Sequence, residues 1–335
     1  MLTRALAHYA GAYQNLGRID DSDRWAERLI ELGESSGYTF AAAVGHEYLA
    51  ENANFCGFFV RGAKEAGLDN QLGARIGSLD RVGWSQMSLC WALAGLGDLV
   101  QAERAARDGL DIADRIGDVR LAIWLESNLL TVLSDRARFD EALAHVPGLV
   151  ARADGMAQVA LQTIARFAAA YVSLRKDDPA TALGYLREAE RLLEPTQGNN
   201  ARVFIGGQIG EALVRLGKMD EAEADGQAHL ELARTIGAPR EQVRALRVLA
   251  DVALARGDAT KALELANQAL ALHRDRADPI EQGRSLVLRS AILLRLGDTE
   301  AARKDLEEAI GLFARVGVVP DEEQARQRMK DFPRA

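Results

Sequence analysis

The chain has 335 residues, 48% hydrophobic and 27% charged, a composition typical of a folded soluble protein. Its net charge of −8 creates no overall attraction for nucleic acid or an acidic membrane surface. No apolar run reaches the roughly 20 residues that span a bilayer, and no signal peptide follows Met1. We therefore expect a cytoplasmic protein that binds neither nucleic acid nor membrane. Cys56 and Cys90, both in apolar helical contexts, are interpreted as buried free thiols.

Small residues recur in the sequence with a period of 40. The grid of turn positions is Gly17, Gly57, Gly97, Ala137, Asp177, Gly217, Gly257 and Gly297. Five residues after them come Ser22, Gly62, Ala102, Ala142, Ala182, Ala222, Ala262 and Ala302. Seven residues before them come Ala10, Ala50, Cys90, Leu130, Ala170, Gly210, Ala250 and Ser290, all small except Leu130.

Helix packing explains this pattern. Two helices joined by a tight turn approach closely only where small side chains meet, and glycine permits the positive φ of such a turn. Asp98, Asp258 and Asp298 directly follow a turn glycine and are placed to cap the second helix. A second set of glycines, 20 residues further on, indicates where the second helix ends: Gly37, Gly77, Gly117, Gly237 and Gly317. Each period is therefore predicted to be helix, turn, helix, turn.

Several irregularities interrupt the later repeats. Pro147 falls inside the second helix of repeat 4 and is expected to kink or break it. The stretch EPTQGNNA at residues 194–201 predicts a loose connection. Asp278 followed by Pro279 predicts a helix start, and Pro320 predicts the opening of a C-terminal capping helix over residues 320–331.

Adjacent helices with small-residue contacts at these stations resemble the tetratricopeptide repeat (TPR). The resemblance implies an all-α, right-handed TPR-like solenoid of about eight repeats, forming a single domain over residues 1–335. The expected turns lie near residues 17, 57, 97, 137, 177, 217, 257 and 297. The period of 40 departs from the usual repeat of about 34 residues.

The 40-residue units, rich in arginine and alanine, also resemble the C-terminal TPR regions of bacterial signalling proteins. Examples are ATPase-coupled nucleotide cyclases and maltose-type or LuxR-type transcription regulators. Because the sequence starts within a helical pattern, two alternatives stay open, a C-terminal fragment of a longer protein and an intact chain whose first helix is its own cap. The arginines are interspersed with acidic residues, which favours a solvated mixed-charge surface over a binding tract.

The residues form no catalytic pattern. His46-Glu47 lacks a second histidine four residues later, and no GxxxxGK motif is present. The GGQIG at residues 206–210 belongs to a helical pattern instead of a phosphate loop. We therefore expect a non-enzymatic protein without cofactor or metal.

The candidate binding residues are those that the TPR resemblance places on the concave face. They are Trp84, Met87, Trp91, Trp124, Asn128, Phe167, Tyr171 and Phe204. An aromatic stripe at helical spacing is typical of a hydrophobic core as well as of a groove, so both interpretations stay open.

Two functions agree with this sequence. The first is a non-catalytic scaffold or regulatory domain that binds a peptide or partner protein on its concave face. The alternative is a regulatory domain of a larger bacterial signalling protein that senses a small-molecule ligand in its central groove.

Overall fold

The computed structural model describes residues 2–274 and 276–332, and these residues form helices without strands. The first nine helices are α1 (Leu2–Asn15), α2 (Ile19–Ser36), α3 (Thr39–Phe55), α4 (Phe59–Arg75), α5 (Leu79–Leu96), α6 (Leu99–Ile116), α7 (Val119–Asp135), α8 (Phe139–Gly155) and α9 (Val159–Arg175). The remainder are α10 (Pro179–Leu193), α11 (Asn199–Arg215), α12 (Met219–Ile236), α13 (Pro239–Ala255), α14 (Ala259–Ala271), α15 (Pro279–Arg295), α16 (Thr299–Val316) and α17 (Val319–Lys330). The fold is an all-α solenoid of successive antiparallel helix pairs.

Each predicted turn position has the backbone conformation that the glycine pattern requires. All six glycines of the 40-residue grid have positive φ, from 73° to 85°. Ala137 and Asp177, which replace glycine at the other two stations, adopt the same left-handed conformation with φ of 59° and 63°. The turn geometry therefore persists where the residue best suited to it is absent.

Small residues lie where the helices of a pair meet, as predicted. The alanines five positions after the turns have no exposed surface: Ala102, Ala142, Ala182, Ala222, Ala262 and Ala302. Asp98, Asp258 and Asp298 each accept a hydrogen bond from the backbone N–H three residues later, which confirms the predicted helix caps. Cys56 and Cys90 are buried free thiols.

The expectation of a break at Pro147 is wrong. Helix α8 continues from Phe139 to Gly155 with Pro147 inside it. The proline side chain is exposed, and the backbone carbonyl four residues earlier loses the N–H partner that another residue at position 147 would supply. A helix on a solvated surface tolerates this loss better than a buried one.

The solenoid winds far enough for distant repeats to touch. A β-carbon built on Gly17 would lie 2.7 Å from Cγ1 of Ile236, and one built on Gly97 would lie 2.4 Å from Cγ1 of Val316. In both pairs the second residue comes the same distance later in the chain, about five and a half repeats. Successive turns of the superhelix therefore pack on each other, and the first helices of the repeats enclose a central space, here called the lumen.

None of the described helices is long and apolar enough to cross a membrane.

Candidate functional site

The lumen is lined by a column of residues that lie 13 positions before each turn. From the first repeat to the last, this column reads Arg4, Val44, Trp84, Trp124, Ile164, Phe204, Arg244 and Arg284. These residues all border lumen cavities. The lumen is therefore aromatic in its middle and cationic toward the C-terminal end.

The N-terminal cavity has a volume of about 820 Å³ and is enclosed by α1, α3, α5, α7, α9 and α11. Six of the eight predicted site residues line it, namely Trp84, Met87, Trp91, Trp124, Phe167 and Phe204. The other two, Asn128 and Tyr171, line an adjoining constriction of about 70 Å³, here called the neck. Trp91, Trp124, Phe167 and Phe204 border both spaces, so the structure brings all eight predicted residues to one continuous part of the lumen.

Phe204 is the centre of an aromatic cluster between the N-terminal cavity and the neck. Its ring centroid lies 5.4 Å from that of Trp91, 5.3 Å from that of Phe167 and 5.7 Å from that of Phe55. Tilted and edge-on contacts at these distances are favourable aromatic geometries. The cluster is therefore held in place by α3, α5, α9 and α11 together.

The predicted residues differ in exposure. Met87, Phe167 and Tyr171 are buried, whereas Trp84, Trp91 and Trp124 are half-buried. The three tryptophans therefore pack on the wall and also present surface to the lumen, so features of both the core and the groove interpretation are present. A binding role for these eight residues stays a prediction.

Polar residues form part of the wall of the N-terminal cavity. Glu47 pairs closely with Arg81, while Glu51 accepts a hydrogen bond from Gln14 Nε2 at 3.0 Å. The pKa of Glu51 is raised to about 8, mainly by burial and also by the nearby carboxylate of Glu47. Among the described residues, Glu51 has no ion-pair partner, so this wall has unused capacity for a cation.

Two further polar groups on this wall lack partners within the described part of the chain. The hydroxyl of Thr163, a residue only 4% exposed, makes no hydrogen bond, and neither does Oδ1 of Asn200. Both residues line the N-terminal cavity. Buried polar groups usually have a hydrogen-bond partner within the protein. These two atoms have none among the described residues, so they are available to a bound molecule.

The C-terminal cavity has a volume of about 360 Å³ and lies among α9, α11, α13, α15 and α17. Its centre is Glu281, which is completely buried and accepts hydrogen bonds from Arg247 Nη1 at 2.6 Å and Arg244 Nη2 at 3.1 Å. Burial opposes ionisation of Glu281, yet Arg247, Arg244 and Arg284 together hold its pKa well below the usual range. The carboxylate is therefore ionised inside the fold.

A second network joins the neck to the C-terminal cavity. Arg284 Nε donates to Asp321 Oδ1 at 2.9 Å, and its Nη2 lies 3.3 Å from Asp135 Oδ1. The hydroxyl of Tyr171 donates to the same Asp135 oxygen at 2.6 Å. Arg175 also pairs with Asp321. These contacts connect α7, α9, α15 and α17 around the lumen.

The interpretation of the arginines as a solvated mixed-charge surface holds for exposed residues such as Arg24 and Arg104 but is wrong for several buried arginines. Arg81, Arg166 and Arg244 are at most 7% exposed, and each is paired with acidic residues. The sequence did indicate that Arg244 and Arg284 line the lumen, because they occupy the concave column that holds tryptophan in repeats 3 and 4. The buried acid Glu281 had no comparable signal.

The described residues contain no group of three or more His, Cys, Asp or Glu side chains placed to hold a metal ion.

Comparison with known proteins agrees with this architecture. Tetratricopeptide-repeat family models match residues 83–108, 200–275 and 283–314. The chain therefore contains tetratricopeptide repeats in these residues. No curated protein gives a significant match to the sequence.

Solved structures share the fold at low sequence identity. A Rap protein complexed with Competence and Sporulation Factor is 12% identical with a TM-score of 0.68, over 94% of this chain and 99% of that one. The Rap conjugation gene regulator of plasmid pLS20, in complex with the Phr* peptide, is 15% identical with a TM-score of 0.68, over 91% and 80%. A signal transduction ATPase with a tetratricopeptide-repeat sensor from Pyrococcus horikoshii is 14% identical with a TM-score of 0.54, over 80% and 41%.

Proposed function

We propose that this protein is a non-catalytic interaction scaffold or regulatory domain that binds an extended peptide in its N-terminal cavity. The observation that carries the proposal is the position of Trp84, Trp91 and Trp124, which present half-buried indole rings to a cavity of about 820 Å³. Rigid aromatic surfaces with a polar rim are typical of sites that bind peptides. Two similar folds, the Rap proteins described above, were solved with a peptide or factor bound.

The chemistry of the cavity favours a peptide with apolar side chains and one basic group. Apolar side chains would contact the tryptophans, while a lysine or arginine side chain would approach Glu51, which has no ion-pair partner among the described residues. Thr163 and Asn200 would supply hydrogen bonds to the peptide backbone. The ligand's cation would also stabilise the ionised form of Glu51.

The test is selection of peptides from a random displayed library against the full-length chain, followed by fluorescence anisotropy of the selected sequences. Trp124→Ala should weaken binding at least tenfold, and Glu51→Gln should weaken binding of basic peptides selectively. Trp25→Ala is the matched control, because Trp25 lies on α2, stacks on Tyr9 at 4.8 Å and does not line the cavity. If Trp124→Ala unfolds, Trp124→Leu replaces it, with folding checked by circular dichroism. Unchanged peptide binding in a folded Trp124 variant contradicts the proposal.

The second candidate is a ligand-sensing regulatory domain of a larger signalling protein. The fold similarity to the tetratricopeptide-repeat sensor of an ATPase favours it. A thermal-shift screen of metabolites separates the two candidates, because a sensor would be stabilised by a small molecule even if no peptide is selected.

A further inference from the structure

The C-terminal cavity is separate from the proposed peptide site and has its own unsatisfied polar groups. Both the Nε2 and the Oε1 atom of Gln208 are buried and make no hydrogen bond with any described residue. Gln208 is 3% exposed and lines this cavity. Burying an amide without hydrogen-bond partners is unfavourable, so a donor and acceptor pair of this kind is retained at a cost in stability.

Two charged groups at the same cavity are also without direct partners. Most arginines here are paired, as Arg247 is with Glu281 and Arg284 with Asp321. By contrast, neither Asp251 nor Arg328 forms a hydrogen bond or ion pair with a residue in the described part of the chain, and both line the cavity.

Asp251 and Arg328 line the same cavity, Asp251 half-buried and Arg328 exposed. The pKa of Asp251 is raised to about 6, because burial and Glu211 raise it by more than Arg247 and Arg328 lower it. A positive and a negative group thus lie on α13 and α17 with part of the cavity accessible to both. A molecule that presents an ammonium to one and a carboxylate to the other would satisfy both charges.

Four aliphatic residues also line the cavity, among charged and polar residues that form most of its wall, namely Val214, Val248, Val287 and Leu288. The cavity volume of about 360 Å³ is at the lower end of the range for small-molecule sites. An occupant therefore combines a short zwitterionic end with a compact aliphatic side chain.

We propose that the C-terminal cavity binds a free aliphatic α-amino acid. Asp251 accepts hydrogen bonds from the α-ammonium group, Arg328 donates to the α-carboxylate, and the Gln208 amide donates and accepts at the same polar end. The valine side chains contact the aliphatic side chain. This site is independent of the proposed peptide function, since none of these residues lines the N-terminal cavity.

The experiment is isothermal titration calorimetry of the full-length protein with L-leucine, L-valine and L-isoleucine. At least one should bind with a dissociation constant below 1 mM, a value on the order of −4 kcal/mol. N-acetyl-leucine lacks the ammonium and leucinamide lacks the carboxylate, so each should bind at least tenfold more weakly than leucine. Equal binding of leucine, N-acetyl-leucine and leucinamide would overturn the proposal. So would the failure of every aliphatic amino acid to bind at 10 mM, a concentration roughly tenfold above the 1 mM dissociation constant expected.

Variants assign the binding to this cavity. Gln208→Met and Asp251→Asn preserve side-chain size, Arg328→Gln removes the positive charge, and each should weaken binding at least fivefold. Arg326→Gln is the matched control for Arg328, because Arg326 is exposed on the same helix and pairs with Glu322. If Gln208→Met does not fold, the two charge variants decide the assignment. Leucine binding that survives both would show that the ligand lies elsewhere.

A variant in the other cavity distinguishes the two proposals. Trp124→Leu should abolish peptide binding without changing the affinity for leucine, whereas Asp251→Asn should have the reverse effect. Loss of leucine binding in folded Trp124→Leu would contradict the independence of the C-terminal site.

Discussion

Arg284 Nη2 donates a hydrogen bond to the Tyr171 hydroxyl at 3.1 Å, and its guanidinium carbon lies 6.0 Å from the centre of the Tyr171 ring. The two residues belong to α15 and α9, and both border the neck as well as the C-terminal cavity. They therefore form part of the partition between the aromatic and the charged portions of the lumen. Since Arg284 also contacts Asp135 and Asp321, the partition connects repeats that are distant in sequence.

Replacement of Arg284 by methionine should destabilise the protein substantially. The variant leaves Asp321 and Asp135 with fewer cationic partners inside the fold, and breaking a buried ion pair typically costs about 3–5 kcal/mol. Urea unfolding followed by circular dichroism measures the change. The exposed pair of Arg326 with Glu322 provides the control, because Arg326→Gln should change stability by less than about 1 kcal/mol. Equal effects would show that the network contributes no more than a surface ion pair.

Asp69 should make stability decrease as pH rises. Its carboxyl group is fully buried, and its pKa is raised to about 9, mainly by burial and also by Glu47 and Glu51, while Arg81 lowers it. Between the unfolded-state pKa near 4 and the folded-state pKa, the folded protein holds a proton that the unfolded chain releases. The free energy of unfolding therefore falls with increasing pH through this window.

Asp69→Asn tests this dependence. The amide cannot ionise, so the variant should gain on the order of 4 kcal/mol of stability over the unmodified protein at pH 8 relative to pH 5. Urea unfolding at the two pH values gives the difference. Asp140→Asn, at a fully exposed carboxylate, should leave the pH profile unchanged. Parallel profiles for Asp69→Asn and the unmodified protein would mean that Asp69 does not titrate abnormally.

The helices of the first repeats pack so closely that one added methyl group should lower the free energy of unfolding. A β-carbon on Gly33 would lie 2.5 Å from the backbone nitrogen of Ala42, which cannot move without shifting α3. Gly33→Ala should therefore destabilise by about 1–3 kcal/mol. Gly67→Ala meets no atom within 4 Å and should stabilise helix α4 by about 0.5–1 kcal/mol. Thermal unfolding of both variants checks the predicted opposite signs.

The turn at Ala137 should benefit from glycine. Ala137 has a φ of 59°, a conformation that costs an L-residue roughly 1 kcal/mol more than glycine. Ala137→Gly should therefore raise the free energy of unfolding by up to about 1 kcal/mol. Ala144→Gly, on the exposed side of α8, should lower it by about 1 kcal/mol because glycine is a poor helix former. A destabilised Ala137→Gly variant would show that the alanine methyl contributes more contact than strain.

The aromatic residues of the candidate site were accessible from the sequence because they follow the repeat. Trp84 and Trp124 occupy the same station in successive units, so one assignment of the concave face located both. Phe55, which completes the cluster around Phe204, is outside that column and was not predicted. Its position depends on contact between α3 and α11, which the pattern within one repeat does not specify.

The repeat pattern alone determined the helix pairs, their turns and the small residues between them, because these depend on interactions within about 40 residues. Only the tertiary structure decided which repeats meet across the lumen. Arg284 reaches Tyr171, 113 residues earlier, and Asp135, 149 residues earlier. Such contacts depend on the small rotation between neighbouring repeats, summed over several units. No single repeat carries that sum, and for this reason the arginines of these lumen networks appeared to be surface residues until the superhelix placed them inside.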